Sequence, residues 1–155
     1  MEIGDLVRRD GIVLRGSVSS KRQALHAVAE AAAHVLGHDD SSVLMDALME
    51  REALGSTGLG SGVAVPHARL HDIDQLFAVL VRLETPVAFD AVDDRPVDLL
   101  LGLFAPSSDG AGHLRALAAA SRALRSPELR QRLRQADSVD AIQALLVRQI
   151  ESTAA

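Results

Sequence analysis

Two uninterrupted apolar runs decide what this chain can fold into. Leu76-Phe77-Ala78-Val79-Leu80-Val81 and residues 97–104, the latter set between Pro96 and Pro106, lack the alternation of a strand with one wet face. Runs of this kind belong to central strands buried on both sides. A sheet covered twice needs two helical layers, and the chain supplies them. Ser19 and Ser20 stand where an N-cap belongs. Leu25, Val28, Ala32 and Leu36 then recur at helical spacing, and Gly37 is a stop. A second helix is expected from Ser41 or Ser42, with Val43, Leu44, Ala47 and Leu48 as its buried stripe and Gly55 as its end. After Gly110 the pattern is helical. Leu114, Leu117, Ala118 and Leu124 mark one helix, Pro127 opens another, and Ser138 caps a third carrying Val139, Ile142, Leu145 and Leu146.

Ile12-Val13-Leu14 and Val63-Ala64-Val65 read as short strands. Pro66 ends the second and keeps Val65 extended. Residues 90–96 form a polar turn. The expected fold is α+β in three layers, α/β/α: a mixed β-sheet between helices in the order β-α-α-β-β-β-α-α-α. Residues 1–150 make one domain, and residues 151–155 are expected to be a frayed C-terminal tail.

Composition narrows the function. With 48% apolar residues but three Phe and no Trp or Tyr, the core must be aliphatic. The formal charge is -5 and no basic cluster stands out, which argues against nucleic acid as a partner. No apolar run approaches the roughly 20 residues of a membrane helix, and the N-terminus lacks the pattern of a signal peptide. The absence of cysteine excludes thiol and disulfide chemistry. A cytoplasmic chain without membrane insertion is expected.

The segment from Glu50 to Arg69 carries the chemistry. Gly55, Gly58, Gly60 and Gly62 fall within eight positions, followed by Val63-Ala64-Val65-Pro66-His67. Glycines let consecutive backbone N–H groups converge on an anion, and Ser56, Thr57 and Ser61 add hydroxyls. Neither a Gly-Lys-Ser/Thr nor a dinucleotide spacing is present. The simpler alternative is a flexible helix-to-strand turn. His67 at the strand end supplies a nucleophile that is largely neutral near pH 7, and phosphoryl transfer needs an aligned attacking atom with donors around the non-bridging oxygens. Arg51, one helical turn before Gly55, reaches toward the loop. His113, at the start of the helix after residues 107–110, can hydrogen-bond a phosphate or hold the His67 ring.

Competing readings remain. His67 and His71 have the i, i+4 spacing of helical metal ligands, with His113 as the obvious third. Pro66 before them and Asp72 and Asp74 after them make a helix there doubtful, so no metal and no cofactor are expected. Asp90, Asp93, Asp94 and Asp98 lack the glycine and terminal glutamate of a calcium loop. His26, His34 and His38 read as surface or packing residues.

With these residues in view, the chain resembles the IIA proteins of the bacterial phosphotransferase system, in the fructose/mannitol class. Within it, the chain is most similar to the nitrogen-regulatory branch (IIA-Ntr, or PtsN). The stretch from Leu54 through Gly55-Ser56-Thr57-Gly58-Leu59-Gly60-Ser61-Gly62 to Pro66-His67 carries the resemblance. Residues 83–91, 95–100 and 113–117 extend it. Residues 83–91 look more like the regulatory branch than the sugar-specific one. The resemblance implies a single type-2 IIA domain with His67 as phospho-accepting histidine, His113 as second active-site histidine and Arg51 as active-site arginine. Ser61 stands where the family usually has Asn. It further implies a regulatory phosphocarrier loaded by a phosphorylated HPr-like protein (NPr), whose regulated targets are unknown. The alternatives are a sugar-specific IIA relaying phosphate to a IIB domain, and a binding module of the kind appended to anion transporters.

Overall fold

The computed structural model describes the backbone of residues 1–154 and side chains through Val147. A short 3₁₀ turn, Ile3–Asp5, leads into β1 (Val7–Gly16). Then come α1 (Lys21–Leu36), α2 (Ser42–Glu52), three short strands β2 (Gly58–Gly60), β3 (Val63–Ala64) and β4 (His67–Leu70), and two long strands β5 (Phe77–Val87) and β6 (Val97–Pro106). Three helices close the chain: α3 (Gly110–Leu124), α4 (Pro127–Gln135) and α5 (Val139–Ala154).

The sheet runs β1-β5-β6-β3-β2, and β4 also pairs with β6. β1 is parallel to β5, β5 antiparallel to β6, and β6 parallel to both β3 and β4. The two apolar runs are the central pair, β5 and β6, with side chains alternating between two cores. Val79, Val81, Leu100 and Phe104 pack with Leu25, Val28 and Leu48 of α1 and α2. Ala78, Leu80, Leu101 and Leu103 pack with Ala116, Ala120, Leu133 and Ile142 of α3, α4 and α5. The three-layer, mixed-sheet expectation therefore holds.

Several local expectations change. β2 and β4 are two further strands, too short to be legible from periodicity. α2 stops at Glu52 rather than Gly55, because Leu54 and Gly55 donate to Arg51 and Glu52 in a tightened i→i+3 turn. Val43 is 73% and Leu114 68% exposed. Leu124 is buried as expected, but the rest of the buried face of α3 is Gly112, Ala116, Ala119, Ala120 and Ala123, small residues that let the helix lie close to β6. The expected tail is helical through Ala154, since residues 151–154 contain no glycine or proline to end the ladder. Ala155 lies outside the described residues.

β3 and β4 are one strand with a gap. Val63 pairs with Leu99 and Ala64 with Leu100; His67 pairs with Leu103 and Ala68 with Phe104. The register is the same on both sides of Val65 and Pro66. Proline has no N–H to give to β6, so the ladder lapses at that step and resumes when Leu103 donates to the Pro66 carbonyl at 2.9 Å. The strand edge thus arrives at His67 without a slip.

A Cβ at Gly102 of β6 would meet Val28 Cγ1 at 2.5 Å, so α1 must back away from the sheet to admit one. Gly102→Ala is expected to destabilise the chain by about 1–3 kcal/mol, measured by urea unfolding.

Candidate functional site

His67 is the first residue of β4 and Arg51 lies in the last turn of α2. His67 Nδ1 is 2.9 Å from the Val65 carbonyl oxygen, and Arg51 Nε is 3.1 Å from His67 Nε2. A carbonyl only accepts and a guanidinium only donates. Nδ1 therefore carries the proton, and Nε2 presents its lone pair to Arg51. The Val65 carbonyl is available because alternate residues of the β3–β4 strand turn their polar groups away from β6. On that side the Val65 N–H donates to the Thr57 carbonyl at 3.0 Å, and its own carbonyl meets the ring of His67.

His113, in the first turn of α3, stands beside this pair with ring centroids 5.2 Å apart and planes tilted by 51°. Its Nδ1 is buried and has no hydrogen-bond partner among the described residues. Arg51, His67 and His113 together line an open cleft of about 610 Å3. Arg69 joins them. It is two residues beyond His67 on β4, so both side chains leave the same face of the strand, about 6.6 Å apart along it. Leu54 (83% exposed), Leu114, Leu117 and Ala47 give the cleft an apolar wall and rim.

Both histidines sit below the ordinary imidazole value of 6.5. Burial is the main cause for His67, with the Arg51 charge adding to it, while the Val65 hydrogen bond and the Glu52 carboxylate pull the other way. His113 is lowered by burial and then by His67 and Arg69. Near neutral pH the His67 ring is therefore neutral, with a free electron pair on Nε2.

The glycine loop is placed differently from the expectation. None of Ser56, Thr57, Gly58, Gly60, Ser61 and Gly62 lines the cleft, and several of their polar groups are bonded within the protein. Ser56 Oγ donates to the Phe89 carbonyl at 2.8 Å and accepts from the Gly58 N–H at 3.1 Å. The Ser61 N–H donates to Asp93 at 2.9 Å, and the Gly62 carbonyl accepts from Asp98 and Leu99. The segment folds as the β2–β3 hairpin, with Gly60 and Ser61 at positive φ.

What the loop does is brace. Glu52, buried at the end of α2, accepts from the Thr57 N–H at 2.9 Å and from Thr57 Oγ1 at 2.7 Å, and it pairs with Lys21 at 3.0 Å. Lys21 in turn lies 4.8 Å from the centre of the Phe89 ring. This clamp closes the turn in which the Gly55 carbonyl accepts from Arg51 Nη1 at 2.9 Å. Glu52, Lys21 and Arg69 were not singled out by sequence reasoning. The adjacency of Glu52 to Arg51, and of Arg69 to His67 at strand spacing, was the signal available for two of them.

His71 lies in the turn after β4, with Nδ1 3.1 Å from Ser107 Oγ, and His67 and His71 share no helix. Among the described residues no three His, Asp or Glu side chains converge as metal ligands, and no helix is long and apolar enough to cross a membrane.

A neutral imidazole with a directed lone pair, flanked by arginines and a second histidine in an open cleft, is equipped for nucleophilic chemistry on an anionic group. The sequence model of the phosphoenolpyruvate-dependent sugar phosphotransferase system, EIIA 2, matches residues 5–149. The chain belongs to that family. It is 40% identical over 146 residues to a nitrogen regulatory protein of Bradyrhizobium diazoefficiens, covering 94% of this chain and 95% of that one. It is 31% identical over 150 residues to the fructose-specific EIIA component of Haloferax volcanii, covering 97% of each. The crystal structure of IIA-Ntr from Neisseria meningitidis superposes with a TM-score of 0.85 at 31% identity, covering 93% of this chain and 98% of that one.

Two measurements test the site. A histidine whose pKa falls on folding binds fewer protons folded than unfolded between the two values, so stability drops as pH falls below 6.5 and is fully present above it. In an NMR titration both rings should have midpoints below 6.5, and urea-unfolding stability should decline from pH 6.5 downward less steeply in His67→Gln than in the wild type. Thr57→Val leaves the buried Glu52 carboxylate short of a donor and should cost about 1–3 kcal/mol in the same unfolding assay.

Proposed function

We propose that this chain is a regulatory phosphocarrier. His67 Nε2 accepts a phosphoryl group from a phosphorylated HPr-like protein, NPr, and the phosphorylated and free forms engage different target proteins. The observation that carries the reading is the pair of bonds on the His67 ring, which fixes the proton on Nδ1 and leaves Nε2 as the nucleophile.

The step balances simply. Nε2 attacks phosphorus in line, the N–P bond to His67 forms, and the bond to the donor histidine breaks with its electron pair returning to the donor ring. The His67 ring keeps its Nδ1 proton and becomes cationic, and the Val65 carbonyl stabilises that charge. Arg51 leaves the lone pair and turns its guanidinium to the phosphoryl oxygens, a bidentate match that lysine does not offer. His113 stands close enough to donate to the same group. The exposed leucines at the cleft mouth suit a protein donor better than a small molecule. Once loaded, the cleft holds a dianionic phosphoryl group beside a cationic ring, about one additional net negative charge, enough to switch a protein contact.

A second reading is a sugar-specific IIA that hands the phosphate to a IIB domain. The likeness to the fructose-specific component favours it, and the greater likeness to nitrogen regulatory proteins favours the first.

Incubation with a phosphorylated HPr-like donor should raise the intact mass by one phosphoryl group. His67→Ala should abolish the gain, and Arg51→Met should slow it by about 100–1,000-fold. An unchanged wild-type mass, or an equal gain in His67→Ala, would overturn the reading. Phosphate passing on to a purified IIB domain would favour the second one.

A further inference from the structure

At the far end of α3 from His113 a second cleft, of about 300 Å3, opens between helices and sheet. Its walls are the β2–β3 turn at Ser61, the end of α3 at Ser121, and the arginines Arg125 and Arg130. His113 and Arg125 are twelve residues apart along α3 and its C-cap, about 18 Å on a helix axis. The cleft is therefore distinct from the His67 site.

Its charge is unusual for this chain. Acidic residues outnumber Lys and Arg by 21 to 16, yet no carboxylate lines the cleft. Among the described residues neither Arg125 nor Arg130 forms an ion pair. Their neighbours do: Arg132 pairs with Glu128 at 2.7 Å and Arg134 with Asp98 at 2.9 Å. Arg130 is held in place by one bond, Nη1 to the Leu124 carbonyl at 2.8 Å, which leaves the rest of its fork for another acceptor. The opposite wall is also fixed. The Ser61 N–H is bonded to Asp93 and its carbonyl accepts from Arg134 at 2.7 Å. Leu59 adds an apolar surface beside these donors.

Two guanidinium forks, a hydroxyl and a leucine around a small preformed hollow match an oxyanion on a short carbon body. We propose that this cleft binds a small organic oxyanion, a phosphate monoester or a carboxylate, with the charged group on Arg125, Arg130 and Ser121 and the carbon body against Leu59. Binding here grips the β2–β3 hairpin, whose other end reaches Thr57 and the Glu52 clamp.

The test is a ¹⁵N NMR titration with inorganic phosphate, glycerol phosphate and succinate at constant ionic strength. Saturable shifts are expected at Ser61, Ser121, Arg125 and Arg130, strongest for an organic anion. They should survive Arg51→Met, which alters only the His67 cleft. Arg125→Gln removes an exposed side chain and leaves the fold intact, and it should weaken binding by about tenfold. Arg130→Lys, which keeps a donor for Leu124, should weaken it as well. Saturation by glycerol phosphate alone or by succinate alone assigns the anion and supports the site. Shifts confined to residues around His67, shifts reproduced by chloride, or no saturable shift with any of the three would overturn it.

Discussion

The hydrogen bond between the Val65 carbonyl and the His67 ring ties the sheet to the chemistry. It exists because Val65 is one of the alternate residues of the β3–β4 strand whose polar groups turn away from β6. Pro66 gives nothing to β6, yet the register on either side is the same, so His67 is placed by two stretches of ladder rather than by a free loop. Val65 faces the other way: its N–H donates to Thr57, and among the described residues its carbonyl accepts from the imidazole alone. One backbone oxygen thereby sets the tautomer, the ring plane and the direction of the Nε2 lone pair. An equivalent side-chain partner would carry rotamer freedom of its own.

Much of this was legible beforehand. Unbroken apolar runs implied a sheet covered on both faces, and the caps at Ser20 and Ser138 each accept the backbone N–H that such a residue is expected to hold. Pro66-His67 read as the end of a strand, whereas the strand resumes at His67 in the same register. What was not legible depends on pairing across long distances. Gly58–Gly60 is a strand only because it meets β3, and a glycine-rich trio has no periodicity to announce it. Leu114 lies on the outside of α3 because the alanines take the inside. Hydrophobicity alone ranks leucine first, and close packing against β6 favours the smaller residue. Arg69 escaped attention because its importance follows from strand alternation, and the strand that places it begins at His67 itself.

The glycines have a use that differs from an anion cradle. Ser61 and Gly62 take positive φ so that the chain can reverse within two residues and return Val63 to β6 in register. The N–H groups that a phosphate would need are already bonded to Asp93, Glu52 and Ser56. The loop acts through Glu52. A carboxylate this buried persists only when its oxygens are satisfied, and here a threonine supplies two donors and a lysine the countercharge. The result is a stiff corner at the end of α2, from which Arg51 projects.

Arg51 is where rigidity and chemistry meet. In this state its Nε–H fills the Nε2 lone pair while Nη1 holds the Gly55 carbonyl, so the guanidinium shields the nucleophile it serves. The shielding is compatible with the proposed transfer because the bond to Gly55 anchors one end of the fork while the other is free to rotate off the ring. A charged donor on the lone pair also disfavours a proton there, and the Arg69 charge disfavours one on His113. Three cationic or donor groups around a neutral ring make a poor site for a proton and a good one for a dianion. In the proposed phosphocarrier role, that difference, built into the spacing of Arg51, His67, Arg69 and His113, keeps a single imidazole unprotonated while waiting and favours a bound phosphoryl group.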